Sequence, residues 1–167
     1  MQLEATMESH ANEIVDRLWL GDLHASQDET FLRGQHIDAV FNCTKDLPFS
    51  PLQHLVFYRV PLDDNLEEVE IRNAGLWSSE IVMKIMTHYK KGDRILVHCF
   101  AGRQRSAASV AMFLILLKGF TTDQAISYIR QKRPVAFMPG PNFERSIRMF
   151  EERYQKEILP ALTGLHL

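Results

Sequence analysis

The segment from residue 95 to residue 118 constrains the fold more than any other part of the sequence. Three apolar residues at 95–97 are followed by a glycine-bearing loop, HCFAGRQRS at 98–106, and then by an apolar run at 107–117 that only Ser109 interrupts. This order predicts a buried strand, a tight loop and a buried helix. The first turn of a helix has unpaired N–H groups and the positive end of the helix dipole, so the loop is suited to binding an anion such as phosphate.

Shorter patterns predict the elements around this segment. Apolar runs at 18–21, 37–43 and 56–60 predict strands, and apolar residues at helical spacing over 71–89 predict a helix. Thr121 and Gln124 predict a capped helix to about residue 133, and Pro141 predicts the start of a last helix. Strands that alternate with helices favour a single α/β domain with a mainly parallel sheet flanked by helices. The loop at 98–106 then follows a strand, where such sheets bind ligands.

Length and charge exclude several classes of protein. The chain has 167 residues and a net charge of −2, which fits one domain and gives no basic footprint for nucleic acid. The apolar run of 107–117 is shorter than the roughly 20 residues of a membrane span. Two cysteines form no disulfide framework, and no signal or transit pattern is seen. We expect a cytoplasmic or nuclear protein with an N-terminal segment at 1–12, which could form a short helix, and a catalytic domain at 13–160.

The loop carries the pattern His-Cys-x-x-Gly-x-x-Arg-Ser/Thr, so the chain resembles the cysteine-dependent protein tyrosine phosphatase superfamily. The remainder is similar to the small dual-specificity branch of that superfamily, over roughly residues 13 to 155. The similar segments are 14–21, 39–44, 60–65, Arg133-Pro134 and Pro141-Asn142-Phe143. The resemblance implies hydrolysis of phosphate monoesters on protein Tyr, Ser or Thr, with a phosphorylated protein as substrate.

The resemblance assigns a role to each residue of the loop. Cys99 would be the nucleophile, and its thiolate is the kind of anion that a helix N-terminus stabilises. Arg105 would clamp two phosphate oxygens with its planar fork, and Ser106 would assist departure of the sulfur. His98 would order the loop, and no metal or other cofactor is expected. Substrate binding would fall to the loop itself: Phe100, Ala101, Gly102, Arg103, Gln104 and Arg105.

Two further positions complete the implied site. The family places its general acid directly before Asn in the loop after a strand, which favours Asp64 over its neighbour Asp63. Asn142 matches a residue that braces the catalytic loop in the family. An equally good interpretation is that Asn142 caps the last helix.

Arg103 leaves the substrate open. It is either a solvated charge on the pocket rim or a second cation that recognises an extra negative group. In the latter case the substrate could be a phospholipid, a phosphoinositide or an RNA 5′-phosphate. A non-catalytic module that binds phosphoproteins is a further alternative, although none of Cys99, Arg105 and the acid candidates is missing.

Cys43 and the first residues also have two interpretations each. Cys43 is either a small core residue or, as in the phosphatases of regenerating liver, the partner of the catalytic cysteine in a reversible disulfide. Some compact relatives dimerise through N-terminal helices, so a homodimer remains open for residues 1–12.

Overall fold

A computed structural model describes residues 9–63 and 67–164, and it confirms the α/β domain with a mainly parallel sheet. The five strands lie in the order β1-β2-β5-β3-β4; β1 is antiparallel to β2, and the other neighbours are parallel. The strands are β1 (Ala11–Val15), β2 (Leu18–Gly21), β3 (Ala39–Asn42), β4 (Val56–Arg59) and β5 (Ile95–His98). The helices are α1 (Leu23–Gln27), α2 (Glu29–Gly34), α3 (Glu68–Lys90), α4 (Arg105–Lys118), α5 (Thr122–Lys132) and α6 (Glu144–Arg153), with a π-helical turn (Tyr154–Ile158) and α7 (Leu159–Gly164) after them.

The central strand β5 is buried on both faces. Ile95 and Val97 pack into the larger core with α3, α4, α5 and α6, whereas Leu96 points to a smaller cluster on the opposite face. Successive side chains of a strand alternate between faces, so three consecutive apolar residues predict this two-sided burial. The arrangement fixes the end of β5, and with it the start of the loop at residue 99.

Local residues set two helix ends, and the capping box predicted for Thr121 and Gln124 is present. Gly119 closes α4 in the left-handed conformation with φ of 68°, which glycine adopts without strain. Thr121 Oγ1 accepts from Gln124 N–H, and Gln124 Oε1 accepts from Thr121 N–H, so the capping box of α5 is complete. The end of α4 and the start of α5 are therefore set by local sequence, and the apolar run of α4 fills the core.

Three details differ from the sequence predictions. The structure adds β1, which turns into β2 through Arg17 in the left-handed conformation, and it adds the short helix α1. The prediction that the last helix begins at Pro141 is wrong, because α6 begins at Glu144. Pro141 instead lies one turn earlier, where its carbonyl accepts from the N–H of Glu144.

Across residues 9–63 and 67–164, no single helix has both the length and the apolar character needed to cross a membrane. Only α4 and α5 taken together meet that measure of length and composition, and a bend of 115° separates them.

Candidate active site

Cys99 lies where β5 ends, and its sulfur is almost enclosed. The residue is 2% exposed, and its Sγ is 3.1 Å from the Oγ of Ser106 in the first turn of α4. The predicted neighbours Cys99 and Ser106 are thus in contact. The sulfur therefore lies against a hydroxyl group at the N-terminus of a helix, where the positive end of the helix dipole is directed.

The carbonyl groups of the loop are bound from behind. Five consecutive carbonyls, those of residues 99–103, each accept a hydrogen bond from outside the pocket. The donors are His98 Nδ1 to Cys99 O (3.3 Å), Leu23 N to Phe100 O (3.0 Å), Arg133 Nη2 to Ala101 O (3.2 Å), Arg133 Nε to Gly102 O (2.9 Å) and Phe137 N to Arg103 O (2.7 Å). In a trans peptide the N–H points opposite to the C=O. The amides of residues 100–104 are therefore directed away from these donors, as a cradle for an anion requires.

Gly102 is required by its surroundings. Its φ is +65°, and a Cβ at this position would lie 2.4 Å from the carbonyl oxygen of Gly21 at the end of β2. Any side chain would meet backbone there, which cannot move as a flexible side chain can. The glycine of the motif thus lets the loop pack directly on the neighbouring strand end.

Arg105 reaches from the start of α4 toward the loop that follows β4. Its Nη1 donates to the carbonyl of Leu62 at 3.2 Å. Within the part of the chain that the structure describes, its buried Nε has no hydrogen-bond partner. A partly buried guanidinium with a donor to spare is suited to bind two oxygens of a doubly charged phosphate group at once.

The predicted general acid, Asp64, lies outside the described residues. Its neighbour Asp63 is engaged elsewhere: its Oδ2 is 3.0 Å from Lys45 Nζ, and its N–H donates to Glu70 Oε2 at 3.1 Å. Glu70 is also paired with Lys45. The carboxylates of Glu70 and Asp63 raise the pKa of the Lys45 ammonium, and Glu70 has the larger effect. Asp63 therefore belongs to an ion-pair cluster that anchors the loop, which leaves Asp64 as the better candidate for proton transfer.

The loop opens into a pocket of about 290 Å³. Met138, Pro139 and Asn142 line one part of it. The lining also includes five of the six predicted substrate-binding residues: Phe100, Ala101, Arg103, Gln104 and Arg105. Phe100 and Met138 are 62% and 50% exposed, so the rim of the pocket carries two large apolar side chains. Arg103 also lines an adjoining groove, which contains His10 and His24.

Gln104 lines the pocket and also has a structural role that was not predicted. Its side chain is buried and links the loop to the segment before α6, by Nε2 to Met138 O (3.0 Å) and to Gly140 O (2.8 Å). Its Oε1 accepts from the N–H of Asn142 at 3.0 Å. The alternative that Asn142 caps the last helix is wrong, because Phe143 is the N-cap and makes no side-chain capping bond.

His98 is enclosed and neutral behind the loop. Burial lowers its pKa from 6.5 to about 4, against a smaller opposing effect of its bond to the Cys99 carbonyl. A neutral imidazole has one N–H, and at Nδ1 it donates to that carbonyl. His98 thus contacts the backbone of the loop, as expected for a residue that orders it.

Cys43 lies beside Cys99 on the next strand of the sheet. The preceding residues Asn42 and His98 are paired in register, and Cys43 N–H donates to His98 O at 2.8 Å. Both cysteines are free thiols, and Cys43 Sγ is 3.6 Å from Ser109 Oγ. Burial raises the pKa of Cys43 to about 12.

Arg133 is the residue whose importance the sequence did not reveal. It entered only as part of a similar segment, yet it is 1% exposed and binds two carbonyls of the loop. An arginine that directly follows an amphipathic helix and precedes Pro134 gives no local sign that it is buried. Its burial follows from the tertiary fold, which brings the end of α5 behind the loop.

The family model described as "Dual specificity phosphatase, catalytic domain" matches residues 18–153. Human dual specificity protein phosphatase 5 is 32% identical over 150 residues, which are 89% of this chain and 36% of that protein. Dual specificity protein phosphatase 1 of Arabidopsis thaliana is 28% identical over 138 residues, 83% of this chain and 67% of that protein. The chain spans about a third of the length of the first of these relatives.

Solved structures show the same fold. Human DUSP28 matches with a TM-score of 0.79 and 24% identity, over 88% of this chain and 96% of that one. PTPMT1, solved in complex with PI(5)P, matches with a TM-score of 0.73 and 17% identity, over 90% of this chain and 99% of that one.

Proposed function

The chain belongs to the family of dual specificity phosphatase catalytic domains, and on that premise we propose that it hydrolyses phosphate monoesters on protein tyrosine, serine and threonine. The reaction would proceed through a cysteinyl-phosphate intermediate. One observation carries the proposal: Cys99 Sγ lies at the start of a loop whose five successive carbonyls are all bound from behind. The sulfur and the amides are thereby available to the same phosphate.

In the first step the lone pair of the Cys99 thiolate attacks phosphorus, the S–P bond forms, and the bond from phosphorus to the leaving oxygen breaks. The loop amides and the guanidinium of Arg105 hold the equatorial oxygens, where negative charge is spread in the transition state. Asp64 donates the proton that the leaving oxygen needs. Leu62, two residues before Asp64, already contacts Arg105, which supports a position of the acid loop next to the clamp.

In the second step a water molecule attacks phosphorus, gives its proton to the Asp64 carboxylate, and the S–P bond breaks. The electron pair returns to sulfur, where the Oγ of Ser106 can donate a hydrogen bond. The 3.1 Å separation of Sγ and Oγ supports this role. Inorganic phosphate then leaves, and the thiolate is regenerated without a cofactor.

A panel of substrates tests the proposal. Wild type and Cys99→Ser are assayed against an aryl phosphate, phosphotyrosine and phosphothreonine peptides, phosphoinositides and RNA with a 5′-triphosphate. We expect wild type to cleave the aryl phosphate and both peptides, and Cys99→Ser to cleave none. Faster cleavage of phosphoinositide or RNA than of the phosphopeptides would show that the substrate is not a phosphoprotein. Binding of phosphopeptide without turnover of any compound would make the domain a non-catalytic module.

Location and assembly are further parts of the proposal. We propose a cytoplasmic or nuclear protein with no nucleic-acid partner. Imaging of a fluorescent fusion tests the location.

Homodimer formation through residues 1–12 is tested by light scattering. The masses of wild type and of a variant with charged substitutions in residues 1–12 are compared.

A further inference from the structure

Arg133 places a cation in the interior directly behind the Cys99 loop. Its residue is 1% exposed, and it is the largest side chain that is fully buried in the described part of the chain. Two of its donors serve the loop: Nε to Gly102 O at 2.9 Å and Nη2 to Ala101 O at 3.2 Å. A buried charge is costly unless its donors are satisfied, so this side chain is held in one orientation.

These two bonds determine where two amides point. The carbonyl of Ala101 shares a peptide plane with the N–H of Gly102, and the carbonyl of Gly102 shares one with the N–H of Arg103. In each trans peptide the N–H is directed opposite to the C=O. Because Arg133 holds both carbonyls on its own side, both amides are directed to the pocket side. Without it, Gly102 would be free to rotate, since glycine is the least restricted residue of the loop.

The other side of the guanidinium is bound to the N-terminal segment. Arg133 Nη1 donates to Ser9 O at 2.6 Å and to Asn12 Oδ1 at 2.8 Å. The same segment is tied to the loop by a second route, because Asp22 N–H donates to His10 O and the next residue, Leu23, donates to Phe100 O. Residues 9–12 therefore form part of the support of the loop, although they precede the segment matched by the family model.

We propose that Arg133 is a positioning residue that fixes the amides of Gly102 and Arg103 for the phosphate, and that Asn12 and Ser9 hold Arg133 in place. The proposal rests on the function proposed above, because it assumes that the loop binds phosphate. The planar fork is essential to it: one guanidinium reaches loop carbonyls on one side and residues 9–12 on the other, which the single ammonium of a lysine cannot do.

Binding of tungstate, a phosphate analogue, separates positioning from stability. The full chain is titrated calorimetrically with sodium tungstate as wild type, Arg133→Lys, Arg133→Met and Lys132→Met. Lys132 is the matched control, because it is the exposed neighbour in α5 and its removal loses the same charge. We expect the Kd to rise at least tenfold in both Arg133 variants and less than twofold in Lys132→Met. A Kd within twofold of wild type in folded Arg133→Met would overturn the proposal.

Asn12 provides a milder test if the Arg133 variants do not fold. Asn12→Leu removes the acceptor, whereas Asn12→Asp keeps an oxygen in its place. We expect Asn12→Leu to weaken tungstate binding about threefold and to lower kcat on an aryl phosphate in parallel, with Asn12→Asp close to wild type. Equal tungstate affinity in all three proteins would refute the link to residues 9–12. Failure of wild type itself to bind tungstate would instead refute the proposed function.

Discussion

Two neighbouring strand ends carry the same kind of residue pair and differ in chemistry. Asn42 ends β3 and is followed by Cys43, and His98 ends β5 and is followed by Cys99. Asn42 and His98 are paired in register, and all four residues are buried. Each cysteine sulfur lies near a serine hydroxyl of the same helix, Ser109 for Cys43 and Ser106 for Cys99. Burial and contact with a serine are therefore common to both cysteines and do not by themselves distinguish Cys99, the proposed nucleophile.

The difference lies in the segment that comes after each strand. After β5 the chain turns through the glycine loop directly into α4, so Cys99 lies at a helix N-terminus and lines the pocket. After β3 it continues into a loop that the Asn42 amide holds through Leu47 O, and no helix begins there. Cys43 is thus left in an apolar interior, where burial raises its pKa to about 12. The position of a helix N-terminus, rather than the residue type, separates the two sites.

Replacement of each cysteine by serine tests this contrast with the largest expected effect. Cys99→Ser removes the proposed nucleophile, so kcat on an aryl phosphate should fall by at least about a thousandfold. Cys43→Ser should keep kcat within about threefold, because that sulfur does not line the pocket. Initial rates of the two purified variants provide the measurement. An equally large loss of activity in Cys43→Ser and Cys99→Ser would contradict the distinction between the two cysteines.

The residues that precede the cysteines should differ in how they respond to acid. The pKa of His98 falls from 6.5 to about 4 on folding, so the unfolded chain binds a proton at higher pH than the native one. This contribution to stability is complete above pH 6.5 and is lost as the pH falls through about 4, by about 3 kcal/mol in total.

Urea unfolding between pH 7 and 4 measures this contribution. Because carboxylates titrate in the same window, wild type is compared with His98→Asn, which puts at position 98 the residue that position 42 already has. We expect a flatter profile for His98→Asn. Parallel profiles for the two proteins would show that His98 is not the titrating group.

Substitution of Ser106 and of Ser109 should also differ in its effect on kcat, and the difference should be smaller than for the cysteines. Loss of the hydroxyl in Ser106→Ala should slow breakdown of the intermediate, lowering kcat about tenfold, as expected for one hydrogen bond to a charged group. A burst of released alcohol should then precede steady turnover. Ser109→Ala should leave kcat unchanged within about twofold. Rapid-quench kinetics of both variants makes the comparison, and a burst in Ser109→Ala would contradict it.

A reversible disulfide between Cys43 and Cys99 is the prediction with the smallest expected effect on activity. A peroxide would oxidise Cys99 to the sulfenic acid, and attack by Cys43 would form the S–S bond and release water. Neighbouring strands lie about 4.8 Å apart, within the Cα separation of disulfides. The raised pKa of Cys43 should make this step slow at neutral pH. After peroxide, dithiothreitol should restore a few times more activity to wild type than to Cys43→Ser; equal recovery would leave Cys43 as a core residue.

Local signals in the sequence were sufficient for β5, α4 and the loop between them. The apolar run, the glycine and the capping residues each act within a few positions of the element they define, so they could be recognised in the sequence. The support behind the loop could not be recognised, because most of its donors are distant along the chain: Leu23 at the start of α1, and Arg133 and Phe137 after α5. The structural contacts of Gln104 could not be recognised for the same reason: its partners, Met138 and Gly140, are more than thirty residues away.

The bonds of Arg133 also bear on when the loop takes shape during folding. One joins residues 31 apart and another residues 124 apart, so the support of the loop depends on contacts that are distant along the chain. Such contacts are slow to form, because the entropy of closing a long segment is lost before they stabilise it. A chain emerging from the ribosome would have β5 and α4 complete while Arg133 was still unsynthesised. The anion cradle should therefore be among the last features to mature, well after the core beneath it.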